Sequence, residues 1–233
     1  MYRPSGAGPF PAIVFNHGGV VPADPSDQTS RVTSLAESSK YVVLATAYRG
    51  DIGSEGTLSL NTGDINDILA AIEYLKSKSY VDANRIGTFG ESRGGANTLL
   101  VAERSQDLKA VVSWYPYTNI TTYCLYIGTE NCISLFGGGL GNNVSKPAGL
   151  DYAHLARIAS AVNYADKITM PLQNSHGTAD PIVPYSQSEE FNAAMTGKTN
   201  YTFYPYDGAD HGGSAVWSTT ATDRRQQFFG DNL

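Results

Sequence analysis

The strongest constraint on the fold of this chain is the hexapeptide GESRGG at residues 90–95. It follows the apolar stretch 85–89 and precedes the helix-prone stretch 96–104. A G-x-S-x-G pattern between a strand and a helix is typical of a turn so tight that small residues must flank the serine. The helix that follows directs its N-terminal N–H groups toward the same point. The hexapeptide therefore predicts a strand–turn–helix unit that holds the hydroxyl of Ser92 clear of a sheet, as a nucleophile.

Strand-like and helix-like segments alternate along the chain, and this alternation favours a mostly parallel sheet with helices on both faces. Short apolar runs predict strands at 11–17, 41–47, 85–89, 109–114, 170–175 and 201–206. Apolar residues at helical spacing predict a helix at 64–78, and further helices are expected at 96–104, 185–195 and 214–229. Asp64 is a candidate cap for the first of these helices. A length of 233 residues suits a single α/β domain spanning 1–233.

Regular patterning fails between about residues 115 and 167. A long irregular insert in a compact domain is usually a lid or a binding loop rather than core. We therefore expect residues 115–167 to cover the active site, with Tyr123 and Tyr126 in an aromatic substrate pocket. On this interpretation, alanine at either tyrosine changes the ranking of substrates while stability changes little. The alternative is that the aromatic side chains simply pack the insert onto the domain.

A serine nucleophile needs a base, and the base needs a carboxylate that orients it. The sequence HGTADPIVP at 176–184 follows one predicted strand and contains Asp180. The last predicted strand, 201–206, is followed by a loop that contains His211. Both loops fall at the C-terminal edge of the predicted sheet, where ligands bind in open α/β folds. Ser92, Asp180 and His211 are therefore the predicted catalytic triad.

Other side chains compete for two of these roles. Asp207 and Asp210 are alternative acids, but they lie too near His211 in sequence to orient it easily. His17 and His176 are alternative bases. Each of these two histidines directly precedes a glycine at the end of a predicted strand, and we interpret both as residues that pack a loop.

Backbone N–H groups are the expected oxyanion donors. An acyl-transfer intermediate needs two converging donors, and glycine lets the backbone approach without a side chain. We assign the N–H of Gly19, in the sequence HGG at 17–19, and the N–H of Arg93, which follows the nucleophile. The alternative for the two glycines is a simple turn at the end of a strand. The glycine-rich loop 48–56 lacks the lysine of a phosphate-binding loop and is expected to form a wall of the pocket.

Composition restricts the partners and the compartment. A net charge of −6 and a pI near 5.1 argue against nucleic acid as a partner. No apolar run is long enough to span a bilayer, and the N-terminus lacks the apolar core of a signal peptide. The chain is expected to be intracellular, or to have had an export signal removed. We predict no metal and no organic cofactor. The sequence does not indicate an oligomeric state.

The two cysteines, Cys124 and Cys132, are too few for a zinc site without nearby histidines. They form either a local disulfide or a pair of free thiols. A disulfide would favour an oxidising compartment, and the protein would then be secreted or periplasmic.

These motifs resemble those of the α/β-hydrolase superfamily and, within it, the catalytic domain of the prolyl oligopeptidase type. The resemblance rests on HGG at 17–19, YRG at 48–50, GESRGG, HGTADPIVP and DHG at 210–212. It implies an α/β-hydrolase fold with Ser92 as nucleophile, Asp180 as acid and His211 as base. It also implies an oxyanion hole formed by Gly19 and Arg93.

The chain departs from the prolyl oligopeptidase pattern in two ways. Peptidases of that type usually carry a β-propeller or another large domain before the hydrolase, and this chain contains none. It also begins at what would be the third strand, so the usual first two strands are missing or replaced and a minimal or truncated domain is expected. We therefore expect a carboxylesterase that cleaves small-molecule esters through an acyl-enzyme on Ser92. A peptidase acting on short peptides is the alternative, and a non-catalytic binding module is a third class.

Overall fold

Six parallel strands form one sheet in the computed structural model, which describes residues 1–36, 40–136, 152–212 and 218–233. The strands are β1 (Phe10–Asn16), β2 (Val42–Ala45), β3 (Val81–Glu91), β4 (Leu108–Trp114), β5 (Leu172–Gly177) and β6 (Tyr201–Tyr206). They lie side by side in the order β2-β1-β3-β4-β5-β6. The predicted α/β-hydrolase architecture, with its mostly parallel sheet, is confirmed.

Helices connect these strands. They are α1 (Thr29–Ala36), α2 (Gly63–Lys76), α3 (Arg93–Ala102), α4 (Ile120–Ile127), α5 (Thr129–Phe136), α6 (Tyr152–Ile158), α7 (Ser186–Ala194) and α8 (Thr219–Asn232). Helix α1 was not predicted. Asp64 does not cap α2, because it lies in the first turn and is buried against Arg93. Part of the start predicted for the last helix falls on residues 213–217, outside the described residues.

The two faces of the sheet bury two separate apolar clusters, because side chains alternate along each strand. In β1, Ala12 and Val14 belong to the cluster covered by α2, α3 and α7, whereas Ile13 and Phe15 belong to the cluster covered by α1 and α8. Helices on both faces are therefore also confirmed. This burial leaves the carboxyl ends of the strands as the edge at which polar loops can meet.

The register of the strands brings several of these ends into line. Asn16 of β1 pairs with Gly90 of β3, and Trp114 of β4 pairs with both Glu91 and Ser175. The loops that follow β1, β3, β4, β5 and β6 therefore start from the same edge. These loops contain the residues that the sequence singled out.

The described part of residues 115–167 is helical rather than irregular. It contains α4, α5, α6 and a 3-10 helix at Ala161–Lys167, and residues 137–151 lie outside the described residues. Each helix has only seven or eight residues, about two turns, which is too short for a clear 3.6-residue repeat. The apolar side chains of these helices join a third cluster that includes Leu60, Ala96 and Val183.

Two further features bear on compartment. Cys124 on α4 and Cys132 on α5 form a disulfide, which decides between the two states that the sequence left open. Export of the protein remains a prediction. Over the ranges that the structure describes, none of the helices has both the length and the apolar character needed to cross a membrane.

Candidate active site

The turn between β3 and α3 holds Ser92 in an unusual backbone conformation. Its φ of 53° and ψ of −119° lie in a region that non-glycine residues rarely occupy and that is common at functional sites. The Ser92 N–H donates to the Trp114 carbonyl at 2.9 Å. A Cβ at Gly90 would overlap the backbone of Gly94, and a Cβ at Gly94 would overlap the carbonyls of Asn16 and His17. The flanking glycines are therefore required by close packing against neighbouring backbone.

Ser92, His211 and Asp180 form one hydrogen-bonded row. The Ser92 Oγ lies 3.0 Å from His211 Nε2, and His211 Nδ1 lies 2.7 Å from Asp180 Oδ2. In this arrangement Nδ1–H donates to the carboxylate, and Nε2 is left to accept the serine proton. The His211 side chain is 18% exposed and that of Asp180 is fully buried. The structure thus brings together the three residues that the sequence proposed, although they are separated by up to 119 positions.

Backbone pairing brings the two distant loops together. Thr178 N–H donates to the Tyr206 carbonyl at 3.0 Å, and Ala179 N–H donates to the Ala209 carbonyl at 3.0 Å. A Cβ at Gly177 would overlap the Ala209 carbonyl, so glycine is needed for this approach. The pairing extends the β5–β6 contact beyond the strands and sets the spacing between Asp180 and His211.

Four N–H groups surround the carboxylate of Asp180. Its Oδ1 accepts from the backbone N–H groups of Ile182 and Val183, each at 2.9 Å. Its Oδ2 faces His211 Nδ1 at 2.7 Å and His176 Nε2 at 3.2 Å. Burial opposes ionisation, but the donors from His176, His211 and Val183 outweigh it and hold the pKa of Asp180 below its usual range. The acid is therefore ionised at neutral pH.

The competing candidates lie elsewhere. Asp207 and Asp210 are exposed, and Asp207 accepts from the Thr178 hydroxyl at 3.2 Å. His17 is buried, with its Nε2 2.9 Å from Asp51 Oδ2. His176 is buried behind Asp180, where it faces the acid. Within the contacts of the described residues, Ser92 Oγ has His211 as its histidine partner.

The Gly18-Gly19 segment packs directly on the turn that carries the serine. A Cβ at Gly18 would lie 3.1 Å from Ser92 Cβ, and Gly19 has a φ of +88°, which favours glycine. The buried Arg93 side chain donates from Nη1 to the Gly19 carbonyl at 2.8 Å. Its Nε lies 3.3 Å from the buried Asp64 carboxylate. Arg93 therefore ties the predicted oxyanion segment to the first turn of α3.

A cleft of about 610 Å³ opens beside the serine. Its lining combines the triad face and two charged side chains with aromatic and aliphatic ones: Gly18, Gly19, Val20, Arg31, Glu91, Ser92, Tyr115, Tyr117, Tyr123, Leu135, Ile182, His211 and Gly212. Tyr126 lines a neighbouring cleft of about 370 Å³ that shares Tyr123, Leu135 and Ile182. In the described part of the chain, the lining of the main cleft includes no residue of the loop 48–56, contrary to expectation. Across the same described ranges, no group of three His, Cys, Asp or Glu side chains is arranged to hold a metal ion.

The two predicted pocket tyrosines differ in environment. Tyr123 is buried and stacks on Tyr117 with ring centroids 4.9 Å apart. Tyr126 is 51% exposed, and its hydroxyl donates to the Pro181 carbonyl at 2.8 Å. The expectation that alanine leaves stability nearly unchanged is therefore suited to Tyr126 but not to Tyr123.

Sequence reasoning missed Glu91 as a member of the cleft. It is buried beside Ser92, accepts from the Tyr115 hydroxyl at 3.0 Å and lies 3.7 Å from Arg31 Nε. Burial raises its pKa to about 7, although Arg31, Tyr115 and Arg225 favour the ionised form. The Tyr115 ring in turn contacts His211 edge-on, with centroids 4.7 Å apart. The position of Glu91 next to Ser92 in GESRGG was the one sequence signal that could have identified it.

Comparison of the sequence with family models now identifies the family. A model described as the prolyl oligopeptidase family matches residues 27–233. The chain belongs to the prolyl oligopeptidase family. The resemblance inferred from the motifs is therefore confirmed, and the family is one of α/β-fold serine hydrolases.

Individual relatives extend this result. Acylamino-acid-releasing enzyme 1 of Oryza sativa subsp. japonica is 28% identical over 193 residues, which cover 78% of this chain and 24% of that enzyme. The chain thus spans about a quarter of the length of this curated relative. A puromycin-hydrolyzing peptidase of Mycobacterium tuberculosis superposes with a TM-score of 0.80 at 23% identity, over 98% of this chain and 35% of that chain. An acetyl ester-xyloside bifunctional hydrolase of Caldicellulosiruptor lactoaceticus superposes with a TM-score of 0.74 at 20% identity, over 99% of this chain and 86% of that chain. At these identities the two structures establish the fold.

Proposed function

We propose that this protein is a carboxylesterase that cleaves small-molecule esters through an acyl-enzyme on Ser92. The observation that carries the proposal is the continuous row from Ser92 Oγ to His211 Nε2 at 3.0 Å and from His211 Nδ1 to Asp180 at 2.7 Å. Such a row activates a hydroxyl that is otherwise a weak nucleophile.

The reaction follows from the position of each proton. Ser92 Oγ attacks the ester carbonyl carbon while His211 Nε2 takes the hydroxyl proton, and Asp180 stabilises the imidazolium that forms. Collapse of the tetrahedral intermediate breaks the bond to the alcohol oxygen, which receives the proton from His211. Water then gives a proton to His211 and attacks the acyl-enzyme. This second step releases the carboxylic acid and restores the serine.

The oxyanion of each tetrahedral intermediate needs donors beside Ser92. We assign the N–H groups of Gly19 and Arg93 to this role, since Gly19 lines the cleft and Arg93 opens α3. The hydrogen bond between the Arg93 side chain and the Gly19 carbonyl supports the assignment, because it limits the movement of the Gly18-Gly19 segment relative to the start of α3. Donors that are held in place before the reaction stabilise the developing charge most effectively.

An ester is preferred over a peptide for two reasons. Apart from Arg31 and Glu91, the cleft walls outside the triad are aromatic and aliphatic and suit an acyl chain of modest size. An alcohol also leaves more readily than an amine, so ester cleavage depends less on proton donation to the leaving atom by the groups around it. The second candidate is a peptidase acting on short peptides, and the family and the name of the rice relative favour it.

We further propose that residues 115–167 act as the lid of this site. Tyr117, Tyr123 and Leu135 of this segment already contribute to the wall of the cleft. The disulfide between Cys124 and Cys132 links α4 to α5 within the same wall. An oxidising compartment, outside the cell or in a periplasm, would preserve this bond.

One paired assay separates these functions. p-Nitrophenyl acetate and its longer acyl homologues are compared with aminoacyl-p-nitroanilides, and a fluorophosphonate probe labels the active serine in parallel. Faster turnover of esters by at least about 100-fold supports the esterase. Faster turnover of anilides establishes the peptidase instead. Absence of turnover together with absence of labelling at Ser92 indicates a binding module.

A further inference from the structure

A second histidine lies behind the acid of the triad. His176 at the end of β5 is fully buried, and its Nε2 lies 2.9 Å from the Val183 carbonyl and 3.2 Å from Asp180 Oδ2. Its Nδ1 lies 2.7 Å from the Ser188 hydroxyl on α7. The mechanism above does not use this ring, although the ring contacts Asp180 Oδ2, the same carboxylate oxygen that accepts the hydrogen bond from His211.

The surrounding groups determine where the proton of His176 lies. Both neighbours of Nε2, the Val183 carbonyl and the Asp180 carboxylate, are acceptors, so Nε2 must carry a hydrogen. The Ser188 hydroxyl accepts from Asn174 Nδ2 at 3.0 Å and can therefore donate its own hydrogen to Nδ1. This assignment, made from the hydrogen-bond network, satisfies both nitrogens of a neutral ring.

We propose that His176 is a positioning residue for Asp180. Its Nε2–H holds the carboxylate and the Val183 carbonyl of the same loop, and so prevents the carboxylate from rotating away from His211. The proposal rests on the proposed triad. It extends the row by three buried side chains, from Asn174 through Ser188 to His176, at the side of Asp180 opposite to the nucleophile.

The need for a second donor follows from the geometry of the acid. Oδ1 is held by two N–H groups of its own loop, whereas the partners of Oδ2 among the described residues are the two histidines. His211 changes its charge during the reaction, so it is a poor fixed anchor for Oδ2. His176 supplies the contact that does not change. A base displaced by a fraction of an ångström loses much of its efficiency, since proton transfer depends on a close approach.

The test compares variants by kcat and KM for p-nitrophenyl acetate and by the rate constant of fluorophosphonate labelling, each per titrated active site. His176→Phe keeps the ring and removes both nitrogens, and we expect kcat to fall about 10-fold to 100-fold with KM changed less than about threefold. His176→Gln places an amide N–H near the position of Nε2, and we expect it to recover most of this loss. Phe191→Leu, a buried change in the same helix as Ser188, controls for a general loss of stability and should leave kcat unchanged.

The decisive measurement is a double-mutant cycle with Asp180→Asn. If His176 acts through the acid, His176→Phe changes the labelling rate of the Asp180→Asn variant less than about twofold. Equal fold-losses in both backgrounds would overturn the proposal. A normal kcat for His176→Phe, or a Gln variant as slow as the Phe variant, would overturn it as well.

A second variant and a second readout keep the test independent of folding and of the substrate. If His176→Phe does not fold, Ser188→Ala replaces it, since this change removes the hydrogen bond at Nδ1 that helps to hold the His176 ring in place. A threefold to tenfold fall in the labelling rate constant that is absent in the Asp180→Asn background supports the proposal. An unchanged labelling rate constant overturns it. A wild-type protein that labels but cleaves no ester refutes the esterase function and leaves this test intact. A wild-type protein that does not label at Ser92 overturns both.

Discussion

The loops at the carboxyl edge of the sheet and the helices of residues 115–167 both border the cleft, but they are held in different ways. The loops carrying Ser92, Asp180 and His211 are fixed by backbone contacts, including glycines that face neighbouring carbonyls. The helices are fixed by side-chain packing around Tyr117 and by one disulfide. Backbone constraints tolerate few residue types, whereas an apolar contact can be satisfied by many. The first region therefore has a recognisable motif and the second has none.

On the proposed function the chemistry lies in the first region, and replacing Ser92 tests this most strongly. Ser92→Ala should reduce turnover by about 10⁴-fold to 10⁶-fold, since a triad without its nucleophile retains only binding and oxyanion stabilisation. The fold should be unchanged, because the substitution keeps a Cβ at this backbone position. Steady-state kinetics and circular dichroism measure the two effects. A variant with a tenth of the wild-type activity would show that another residue attacks the substrate.

The acid gives the next largest effect. Asp180→Asn should lower kcat by about 10⁴-fold at neutral pH, because an amide favours the wrong tautomer of His211. Asp207→Asn is the matched control, since this exposed carboxylate accepts from Thr178 and not from His211. Measurement of kcat for both variants decides between the two acids. A greater loss in the Asp207 variant would mean that the acid lies in the His211 loop itself.

The free energy of unfolding of two tyrosine variants tests how the helices of residues 115–167 are held. Tyr123→Ala should lower the free energy of unfolding by about 3 kcal/mol, since it removes a buried, stacked ring. Tyr126→Ala should cost less than about 1 kcal/mol, because this ring is half exposed. Urea unfolding gives both values. If the segment is the lid, Tyr123→Ala also changes the ranking of esters, and a uniform loss on all esters would contradict that role.

The last expected effect is a change of stability with pH and concerns Glu91, which lies between the two regions, next to Ser92 and hydrogen-bonded to Tyr115. Its folded pKa of about 7 lies above the unfolded value, so the native state binds this proton more tightly. The associated stability is present below about pH 4.5 and is lost as the pH rises through 7. Relative to Glu91→Gln, the wild type should therefore lose roughly 3 kcal/mol across this window. The pKa of Asp180 is lowered instead, so its contribution to stability is lost only at more acidic pH, as this carboxylate becomes protonated.

Urea unfolding between pH 4.5 and 8 measures the difference between wild type and Glu91→Gln. Arg31, Tyr115 and Arg225 are the charged or titratable groups that act on this carboxylate, and they are the same in both proteins. Glu55→Gln, at an exposed position, serves as the control. Parallel pH curves for wild type and Glu91→Gln would mean that burial does not raise the pKa of Glu91.

The sequence by itself determined the order of the six strands and of the helices α2, α3, α7 and α8. It also determined the identity of Ser92, Asp180 and His211 as candidates. Alternating apolar runs give the parallel sheet, and the carboxyl ends of its strands must share one edge. A tight turn around the serine can be built only with small flanking residues, so the requirement appears in the sequence as GESRGG. Local backbone demands of this kind are readable because each depends on neighbours in the chain.

The tertiary structure alone decided which distant side chains meet. It pairs the buried Asp64 with Arg93 instead of leaving it as a helix cap, and it sets His176 against Asp180 instead of in a loop. It also buries Tyr123 while leaving Tyr126 half exposed, on the same short helix. The physical reason is common to all of these residues. Burial and the choice of hydrogen-bond partner depend on elements that are brought together only by packing, and one-dimensional spacing carries no record of them.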